Sequence, residues 1–293
     1  MVKTVVIIGA DGQLGSDLVQ SFSSLSDQFT MVPFIEEAVD IRDYERIQEK
    51  LTECKPDIVI NTAAYHRTDE CEDNPEKTFL VNAVAVNNLG VVCRHIGADF
   101  AHVSTDYVFG KDQNRKTPYL EDDIPGPVNV YGFSKLAGEY FVRENCPKSY
   151  LIRTSGLFGV AGSMGKGGNF IETMIKLAKS GNPIRVVDDQ RLAPTFTHDL
   201  ANKICELIQT GQYGLYHIAN NQDCTWFEYS SAIFELTGLT PKLSRITTDE
   251  SGAKARRPEY SVLSSKKLPG IGLEICRPWK AALEDYLKQK GHI

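Results

Sequence analysis

The chain of 293 residues lacks the features that mark several specialised classes of protein. It contains no long basic run, and its formal net charge of −6 argues against nucleic-acid binding through phosphate neutralisation. Its seven cysteines include no C-x-x-C pair, so neither a zinc site nor a disulfide framework is indicated, and a reducing cytoplasm fits this pattern. No histidine spacing is typical of metal ligands, and we expect no bound metal.

Signals for secretion or membrane insertion are also scarce. The first apolar run reaches Gly9 too soon for a signal peptide, and no apolar run approaches the roughly 18 residues that span a bilayer. Hydrophobic residues make up 42% and charged residues 24% of the chain, an ordinary globular composition. We therefore expect a cytoplasmic protein without a membrane or nucleic-acid partner.

Short apolar strands alternate with amphipathic helices in the first half of the chain. The pattern predicts helices at 13–24, 75–96 and 132–145, and strands at 4–8, 58–60, 100–103 and 150–153. This alternation requires crossover connections, so we predict an α/β fold with a doubly wound parallel sheet of the Rossmann type.

Beyond about residue 155 the alternation is less regular. A glycine-rich segment occupies 162–168, and a further strand is predicted at 184–187. We assign residues 1–155, together with about 184–221, to the Rossmann domain. Residues 156–183 and 222–293 are assigned to a smaller, discontinuous α/β lobe, which we expect to bind the substrate.

A G-x-x-G-x-x-G motif lies between the first predicted strand and the first predicted helix. Its residues are Gly9-Ala10-Asp11-Gly12-Gln13-Leu14-Gly15. Glycines at this place allow a tight turn and close approach of the backbone to a pyrophosphate, while the helix N-terminus offers free N–H groups to the phosphates. The motif therefore predicts a dinucleotide cofactor.

The preference between the two nicotinamide cofactors stays open. No arginine directly follows the second strand to hold a 2′-phosphate, and Glu36 and Glu37 lie nearby, which slightly favours NADH. The spacing of the glycine motif resembles that of the extended short-chain dehydrogenases, and Asp40 resembles the aspartate that contacts the adenine in that subclass. An N-cap for the helix that begins near Asp43 explains Asp40 equally well. We expect NADPH or NADH as the cofactor.

Tyr131 and Lys135 lie four residues apart in YGFSK, on one face of a predicted helix. A phenol has an ordinary pKa of ~10, and a neighbouring ammonium lowers that pKa, which helps the tyrosine to exchange protons near neutral pH. The strand at 100–103 leads into Thr105, at an edge where catalytic residues of doubly wound folds gather. The Thr105 hydroxyl could bind a substrate carbonyl, or it could close a turn that leaves the strand.

Longer segments of the chain carry a family resemblance. They include GADGQLG, NTAAYHRTDECEDNPEKTFLVNA, STDYVF, YGFSKLAGE and RRPEYSVLSSKKL. Through them the sequence resembles the dTDP-4-dehydrorhamnose reductase family, which lies within the extended short-chain dehydrogenases. The resemblance implies reduction of the 4-keto group of a nucleotide-linked 6-deoxysugar for polysaccharide biosynthesis, with a homodimer as the candidate assembly.

The resemblance also implies roles for individual residues. Tyr131 is expected to donate the proton, with Lys135 as its partner and Thr105 tuning its phenol. Around the cofactor, the motif and the resemblance place residues from three segments, in addition to Tyr131 and Lys135: Gly9, Asp11, Gly12, Gln13, Leu14, Gly15, Asp40, Ile41, Ala63, Ala64 and Tyr65. The expected sugar-nucleotide contacts are Thr105, Asp106, Gly156, Asn169 and Arg257, although Arg257 is explained equally well as a surface residue.

Two departures from the family pattern concern the sugar site. The family usually has R-T-S-W after the sixth strand, whereas this chain has a glycine at Gly156, which lacks the stacking face of tryptophan. The usual D-Q-x-G-x-P-T becomes DQRLAPT, with Leu192 adding bulk beside the expected cleft. The reaction type is expected to survive both changes, while the sugar stays open.

Two alternative functions also stay open. A sugar-nucleotide epimerase or dehydratase has the same fold, but dehydratases resemble T-D-E at the strand end, and here Tyr107 follows Asp106. The chain further resembles the regulatory subunit of methionine adenosyltransferase, a non-catalytic dinucleotide-binding relative. A pure regulator need not keep Thr105, Tyr131 and Lys135 together, which argues against this second alternative.

Overall fold

The computed structural model describes residues 2–162 and 168–293, so most of the glycine-rich segment lies outside the described residues. The strands, in chain order, are β1 Lys3–Ile8, β2 Phe29–Phe34, β3 Ile58–Asn61, β4 Asp99–Thr105, β5 Ser149–Thr154, β6 Leu157–Phe158, β7 Ile184–Val187, β8 Arg191–Leu192, β9 Thr195–Phe196, β10 Gly214–His217, β11 Cys224–Thr225 and β12 Leu243–Ile246. The helices are α1 Gln13–Ser23, α2 Tyr44–Cys54, α3 Thr68–Asp73, α4 Pro75–Phe79, α5 Ala85–Ile96, α6 Val130–Asn145, α7 Phe170–Ser180, α8 Thr197–Gln209, α9 Trp226–Thr237, α10 Thr248–Ser251, α11 Lys267–Gly270 and α12 Trp279–Gln289. A π-helical turn at Leu80–Val84 joins α4 to α5, and a 3-10 turn at Asp106–Val108 follows β4.

Six parallel strands form the central sheet in the order β10-β5-β4-β3-β1-β2. The sheet grows in opposite directions on the two sides of β1, because β2 lies on one side and β3 on the other. In such sheets ligands bind outside the carboxyl ends of the strands, where the order reverses. The predicted doubly wound Rossmann fold is confirmed.

Side chains of β1 alternate between two hydrophobic cores, one on each face of the sheet. Val5 and Ile7 pack with α1 and α8, whereas Val6 and Ile8 pack with α2 and α5. Successive side chains of a strand point to opposite faces, so a run of consecutive apolar residues is what a strand covered on both faces requires. The sheet thereby holds the carboxyl ends of β1, β3 and β4 at one edge.

A third hydrophobic core lies between α7, α9 and α12. The strand predicted at 184–187 has the predicted bounds, but it pairs with β12 in a two-stranded sheet instead of joining the central sheet. Ile184 and Val186 pack in this third core, so their segment lies with the smaller lobe and not with the Rossmann domain to which we assigned it. The remaining domain boundaries stay a prediction.

The helical stretch Pro75–Ile96 is, by length and composition alone, apolar enough to cross a membrane, which our sequence reading overlooked. Its second part, α5, packs against α2 and α6. Val86, Leu89 and Val92 are buried in the core on that face of the sheet. Packing within the fold therefore explains the apolar character of α5.

Candidate active site

The glycine loop packs tightly against the end of β3. Gly9 has a φ of +77°, and a Cβ there would lie 2.8 Å from Thr62 Oγ1. A Cβ at Gly15, in the first turn of α1, would lie 2.0 Å from the Gly9 carbonyl oxygen. Gly12 begins α1 without a side-chain cap, so the first N–H groups of the helix are left for a ligand. The loop therefore has no room for side chains at these glycines, and it lies beside free N–H groups of the helix. Both features fit a bound pyrophosphate.

Two other residues of the loop have side chains that the fold already uses. The Gln13 amide nitrogen donates to the Leu157 carbonyl at 3.1 Å, and the backbone N–H of Gly159 donates to Gln13 Oε1 at 3.0 Å. Gln13 thereby joins the glycine loop to β6. Leu14 is buried in the core below the sheet, which leaves only its backbone for a cofactor. Their predicted cofactor contacts stay predictions.

Asp40 lies at one end of the cleft and forms an ion pair with Arg42. The backbone and Nε of Arg42 both donate to Asp40 Oδ1 at 2.9 Å, and these hydrogen bonds hold the pKa of Asp40 below its usual value. The N-cap of α2 is Asp43, which accepts from the backbone N–H of Arg46 at 3.0 Å. Capping therefore does not explain Asp40.

The segment Ala63, Ala64 and Tyr65 lines the cleft where the chain leaves β3. The backbone of Tyr65 exchanges two hydrogen bonds of 2.9 Å with the side chain of Asn82 in the π-helical turn. Asn82 Nδ2 also donates to Ser134 Oγ of α6 at 3.0 Å. Asn82 therefore ties the predicted cofactor segment to the helix that carries Tyr131.

Tyr131 lies in the first turn of α6, whose N-cap is Asn129. Burial raises the pKa of the Tyr131 phenol, and a hydrogen bond with Thr105, at the end of β4, partly opposes that shift. The direction is opposite to the lowering that we predicted from Lys135. The reason is that burial disfavours the charged phenolate, while the amine of Lys135 is hydrogen-bonded to the Val103 carbonyl instead of to the phenol.

Lys135 is 2% exposed, and its Nζ donates to the Val103 carbonyl at 2.7 Å and lies 3.2 Å from His102 Nε2. Burial lowers the pKa of Lys135 to about 7, with the Glu139 carboxylate acting in the opposite direction. Thr105, Tyr131 and Lys135 all line the same cleft. The fold thus brings together the three residues predicted to be catalytic, and their roles stay predictions.

The Asp106 carboxylate is buried in the cleft wall beside these residues. It accepts hydrogen bonds from Ser261 at 2.6 Å, from Ser155 at 2.9 Å and from Thr105 at 3.1 Å. Burial raises the pKa of Asp106 to about 6, and the three hydroxyls oppose that shift. Near neutral pH the site therefore contains a carboxylate held in place by hydroxyl groups.

Two other predicted sugar contacts differ in how far the fold uses their side chains. Arg257 lies in the cleft wall and donates to Asp69 at 2.9 Å and to the Tyr107 hydroxyl at 3.4 Å. Asn169 also borders the cleft, but its Oδ1 caps α7 and its Nδ2 donates to the Tyr286 hydroxyl at 3.0 Å. Arg257 is thus the better placed of the two for a charged ligand.

The cleft has a volume of about 1040 Å³ and extends from the glycine loop past Tyr131 to α7 and α9. Pockets for one small ligand usually measure about 300–1,000 Å³, so this cleft has room for a cofactor and a second ligand. Within residues 2–162 and 168–293, no group of three or more His, Cys, Asp and Glu side chains is arranged to hold a metal ion.

Comparison with known proteins places the chain in a family. The family model described as the RmlD substrate binding domain matches residues 3–291. The chain belongs to the RmlD family. Among its relatives, the dTDP-4-dehydrorhamnose reductase of Mycolicibacterium smegmatis is 37% identical over 287 residues, covering 97% of this chain and 85% of that protein. The spore coat polysaccharide biosynthesis protein SpsK of Bacillus subtilis is 37% identical, over 98% of both chains.

Solved structures agree with this membership of the RmlD family. A crystal structure of dTDP-4-dehydrorhamnose reductase from Bacillus anthracis, in complex with NADP, has a TM-score of 0.93 and 36% identity, covering 99% of this chain and 100% of that chain. The UDP-glucose 4-epimerase of Thermus thermophilus, at 20% identity and a TM-score of 0.81, shares the fold. The predicted resemblance is confirmed.

Sequence reasoning missed several residues of this RmlD-family cleft. The hydroxyls of Thr154 and Tyr229 are buried, and neither has a hydrogen-bond partner among the described residues. Both residues line the cleft, and so does Trp226 of α9. A polar group buried without a partner is costly, so the two hydroxyls are candidates for contacts with a bound ligand. No local motif marks residues that only the tertiary fold brings to one wall.

Proposed function

We propose that this protein is an NAD(P)H-dependent reductase that converts the 4-keto group of a nucleotide-linked 6-deoxysugar, dTDP-4-dehydrorhamnose or a close analogue, to a hydroxyl. The observation that carries the proposal is the meeting of Thr105, Tyr131 and Lys135 on the wall of a cleft that begins at the glycine loop. Two donors for one oxygen, beside a dinucleotide cradle, suit the reduction of a ketone.

Tyr131 is the proton donor in this proposal. Burial raises the pKa of its phenol, so the group keeps its proton near neutral pH. As negative charge develops on the carbonyl oxygen, Tyr131 would transfer that proton. The Thr105 hydroxyl, which donates to Asp106 in the free protein, would turn its one O–H to the same oxygen as a second donor. Donors fixed by β4 and α6 need little reorganisation during the reaction.

The cofactor would be held by the chain's own backbone and by a few side chains. When bound, NAD(P)H supplies the hydride that reduces the keto carbon. The glycine loop and the N-terminus of α1 would hold its pyrophosphate, the segment around Asp40 its adenosine, and the segment around Ala63 and Lys135 the nicotinamide half. Because the pyrophosphate links the adenosine to the nicotinamide half, the glycine loop would lie between the other two segments in the proposed complex.

The sugar nucleotide would lie against the other half of the cleft. Asp106 would accept hydrogen bonds from sugar hydroxyls, and the Thr154 and Tyr229 hydroxyls would gain the partners that they lack among the described residues. Arg257 would bind the diphosphate, since a guanidinium fits phosphate oxygens in pairs. A polar sugar carrying a diphosphate thus matches the lining of this half.

Contacts at the strand end favour a reductase over a dehydratase. Tyr107 follows Asp106, and its hydroxyl is hydrogen-bonded to Arg257. A phenol held in this way cannot act as the second carboxylate that water elimination needs. The relatives named as reductases, at 37% and 36% identity over nearly the whole chain, support the same choice.

We further propose that the enzyme works as a homodimer in the cytoplasm. All of its cysteines are free thiols, and most are buried, as in proteins from reducing compartments. Large apolar side chains are exposed on α6 and on α4 and the π-helical turn that contact it, which would suit a partner subunit: Phe79, Leu80, Val84, Phe133, Tyr140 and Phe141. Sedimentation velocity measures the assembly.

The direct test is an assay with purified protein, NADPH or NADH, and dTDP-4-dehydrorhamnose. The account expects loss of the reduced-nicotinamide absorbance together with formation of a deoxysugar that carries a new hydroxyl at C4, identified by NMR. Cofactor binding without turnover on any nucleotide-linked ketosugar would favour the non-catalytic alternative, and cofactor-independent water loss would favour a dehydratase.

A further inference from the structure

A buried chain of hydrogen bonds connects the backbone after β3 to the amine of Lys135. The Ala63 N–H donates to Asn61 Oδ1 at 3.1 Å, and Asn61 Nδ2 lies 3.1 Å from His102 Nδ1. His102 Nε2 lies 3.2 Å from Lys135 Nζ, which also donates to the Val103 carbonyl at 2.7 Å. Asn61 and His102 are fully buried, so each contact must satisfy its polar atoms.

The first link determines the orientation of the Asn61 amide. A backbone N–H can only donate, so the Asn61 atom beside Ala63 must be the carbonyl oxygen. The amide nitrogen of Asn61 therefore faces His102 and donates to Nδ1. A neutral imidazole has one acceptor and one N–H, so the proton of His102 lies on Nε2 and faces Lys135.

This tautomer determines which form of Lys135 can make the last contact. An ammonium only donates, and it would meet the His102 N–H donor to donor. An uncharged amine has a lone pair that accepts from His102 Nε2 while one of its N–H groups donates to the Val103 carbonyl. The observed geometry is a complete hydrogen-bond chain only with the amine.

We propose that His102, held in one tautomer by Asn61, keeps Lys135 as an uncharged amine in the free protein, so that binding of NAD(P)H takes up one proton from solvent at this lysine. The proposal rests on the proposed function only for the identity of the cofactor. His102 is a positioning residue in this account, because it acts through Lys135.

The proton balance of this step is simple. The amine gains a proton from water, and the hydrogen bond from His102 Nε2 is broken because an ammonium cannot accept it. The ammonium keeps the Val103 carbonyl as an acceptor and turns its other donors toward the cleft. The negative charge of the bound cofactor stabilises the cation in this desolvated place, and the new cation then lies one helical turn from Tyr131.

Other charged groups around Lys135 do not supply an alternative partner. Glu139, one turn further along α6, raises the pKa of Lys135, but its carboxylate is occupied by Arg153 of β5 at 2.6 Å and by Ser104 of β4 at 2.5 Å. On the other side, Tyr131 is neutral, and Asp106 is held by Ser155, Ser261 and Thr105. Burial lowers the pKa of His102 well below its usual value, so the imidazole stays neutral.

The first test reads the tautomer and the charge in the free protein, without cofactor. Long-range proton–nitrogen NMR spectra distinguish an imidazole N–H from an acceptor nitrogen, and the His102→Gln variant assigns the signal among the six histidines. We expect His102 to be the Nε2–H tautomer. We also expect one lysine Cε resonance to titrate with a midpoint near pH 7, and this resonance should be absent from the spectrum of Lys135→Met. A charged His102, an Nδ1–H tautomer, or a lysine that stays charged above pH 9 would overturn the proposal.

The second test counts protons during cofactor binding. Titration calorimetry at pH 8 in buffers of different ionisation enthalpy should show uptake of about 0.9 proton, since a group with a pKa near 7 is only about one tenth protonated there. NADH and NADPH are used in turn, because NADH lacks the 2′-phosphate that could also titrate. Lys135→Met should take up none.

An Asn61→Asp variant should reverse the donor and acceptor roles along the hydrogen-bond chain, with a side chain of nearly the same shape. Its carboxylate still accepts from Ala63 but also accepts from His102 Nδ1, which moves the imidazole proton and leaves Nε2 as an acceptor for a lysine ammonium. Proton uptake at pH 8 should fall below about 0.2, and His102→Gln, whose amide oxygen can face Lys135, should act in the same direction. Asn182→Asp, at an exposed position, is the charge-matched control and should behave as wild type.

Uptake equal to wild type in both variants, with folding verified by circular dichroism, would contradict the proposal. If neither cofactor binds at all, the proposed function fails, whereas the histidine and lysine spectra of the free protein still decide the charge of Lys135.

Discussion

The side chain of Leu192 lies directly over Gly156, and a Cβ at Gly156 would come within 2.7 Å of Leu192 Cδ1. These are the two positions at which the chain departs from the usual sequence pattern of its family. Gly156 also has a φ of +52°, which side chains with a Cβ rarely adopt. The two departures are therefore one change, in which an aliphatic side chain from β8 covers a glycine at the cleft.

This contact predicts a strong coupling between the two positions. Gly156→Trp alone should destabilise the protein, since the ring would collide with Leu192, and overpacking costs about 1–3 kcal/mol. Combining it with Leu192→Gly should recover part of that loss. Chemical denaturation of both single variants and the double variant measures the coupling, and additive effects would show that the two side chains do not compete for one space.

The glycine loop predicts an unequal response to two glycine substitutions. Gly15→Ala would force a Cβ to within 2.0 Å of the Gly9 carbonyl, so we expect a loss of about 1–3 kcal/mol of unfolding free energy and at least tenfold weaker NAD(P)H binding. Gly270→Ala, where nothing lies within 4 Å, is the matched control. Equal cofactor affinity in the two variants, measured by fluorescence titration, would contradict the proposed pyrophosphate cradle.

Arg153 and Glu139 form a buried ion pair, and removal of its cation should strongly lower the free energy of unfolding. Arg153→Met leaves the Glu139 carboxylate buried without its cation, which typically costs about 3–5 kcal/mol. The exposed pair Arg46–Glu49 supplies the comparison, because Arg46→Met should cost less than about 1 kcal/mol. Urea denaturation compares them, and a small loss in Arg153→Met would show that Glu139 takes up a proton or water at little cost.

Asp106 predicts a pH dependence of substrate binding. Burial raises the pKa of this carboxyl to about 6, so it is ionised above that pH and protonated below it. If the carboxylate accepts hydrogen bonds from the sugar, the KM for the sugar should be constant above about pH 7 and rise as the pH falls through 6. Asp106→Asn should raise KM at neutral pH and abolish this rise, and an unchanged profile in that variant would exclude Asp106 as its cause.

Local patterns predicted the parts of this fold that depend on neighbours along the chain. The strand over 58–60 and the helix over 132–145 were found to within a few residues, because their apolar spacing is local. The glycine motif was also recognisable from the sequence, because it lies in one turn between the end of the first strand and the start of the first helix. The bounds of the strand over 184–187 were also found, but periodicity says nothing about which strand it pairs with, and it pairs with β12 outside the central sheet.

Local sequence patterns could not predict the tertiary contacts of the site. The predicted direction of the Tyr131 pKa shift was wrong because the i to i+4 spacing shows neither the burial that raises this pKa nor the contacts of the Lys135 amine with His102 and Val103. Thr154 and Tyr229 come from β5 and α9, and no motif joins them. Burial without a partner becomes visible only when the surrounding atoms are in place.

The reaction itself is tested most directly by one comparison of rates. Tyr131→Phe removes only the phenolic oxygen, and Tyr44→Phe makes the same change at an exposed position outside the cleft lining. With dTDP-4-dehydrorhamnose and saturating NAD(P)H, the account predicts that Tyr131→Phe lowers kcat by about 10²–10⁴-fold at unchanged cofactor affinity, while Tyr44→Phe matches wild type. Turnover by Tyr131→Phe at the wild-type rate would contradict the assignment of Tyr131 as the proton donor.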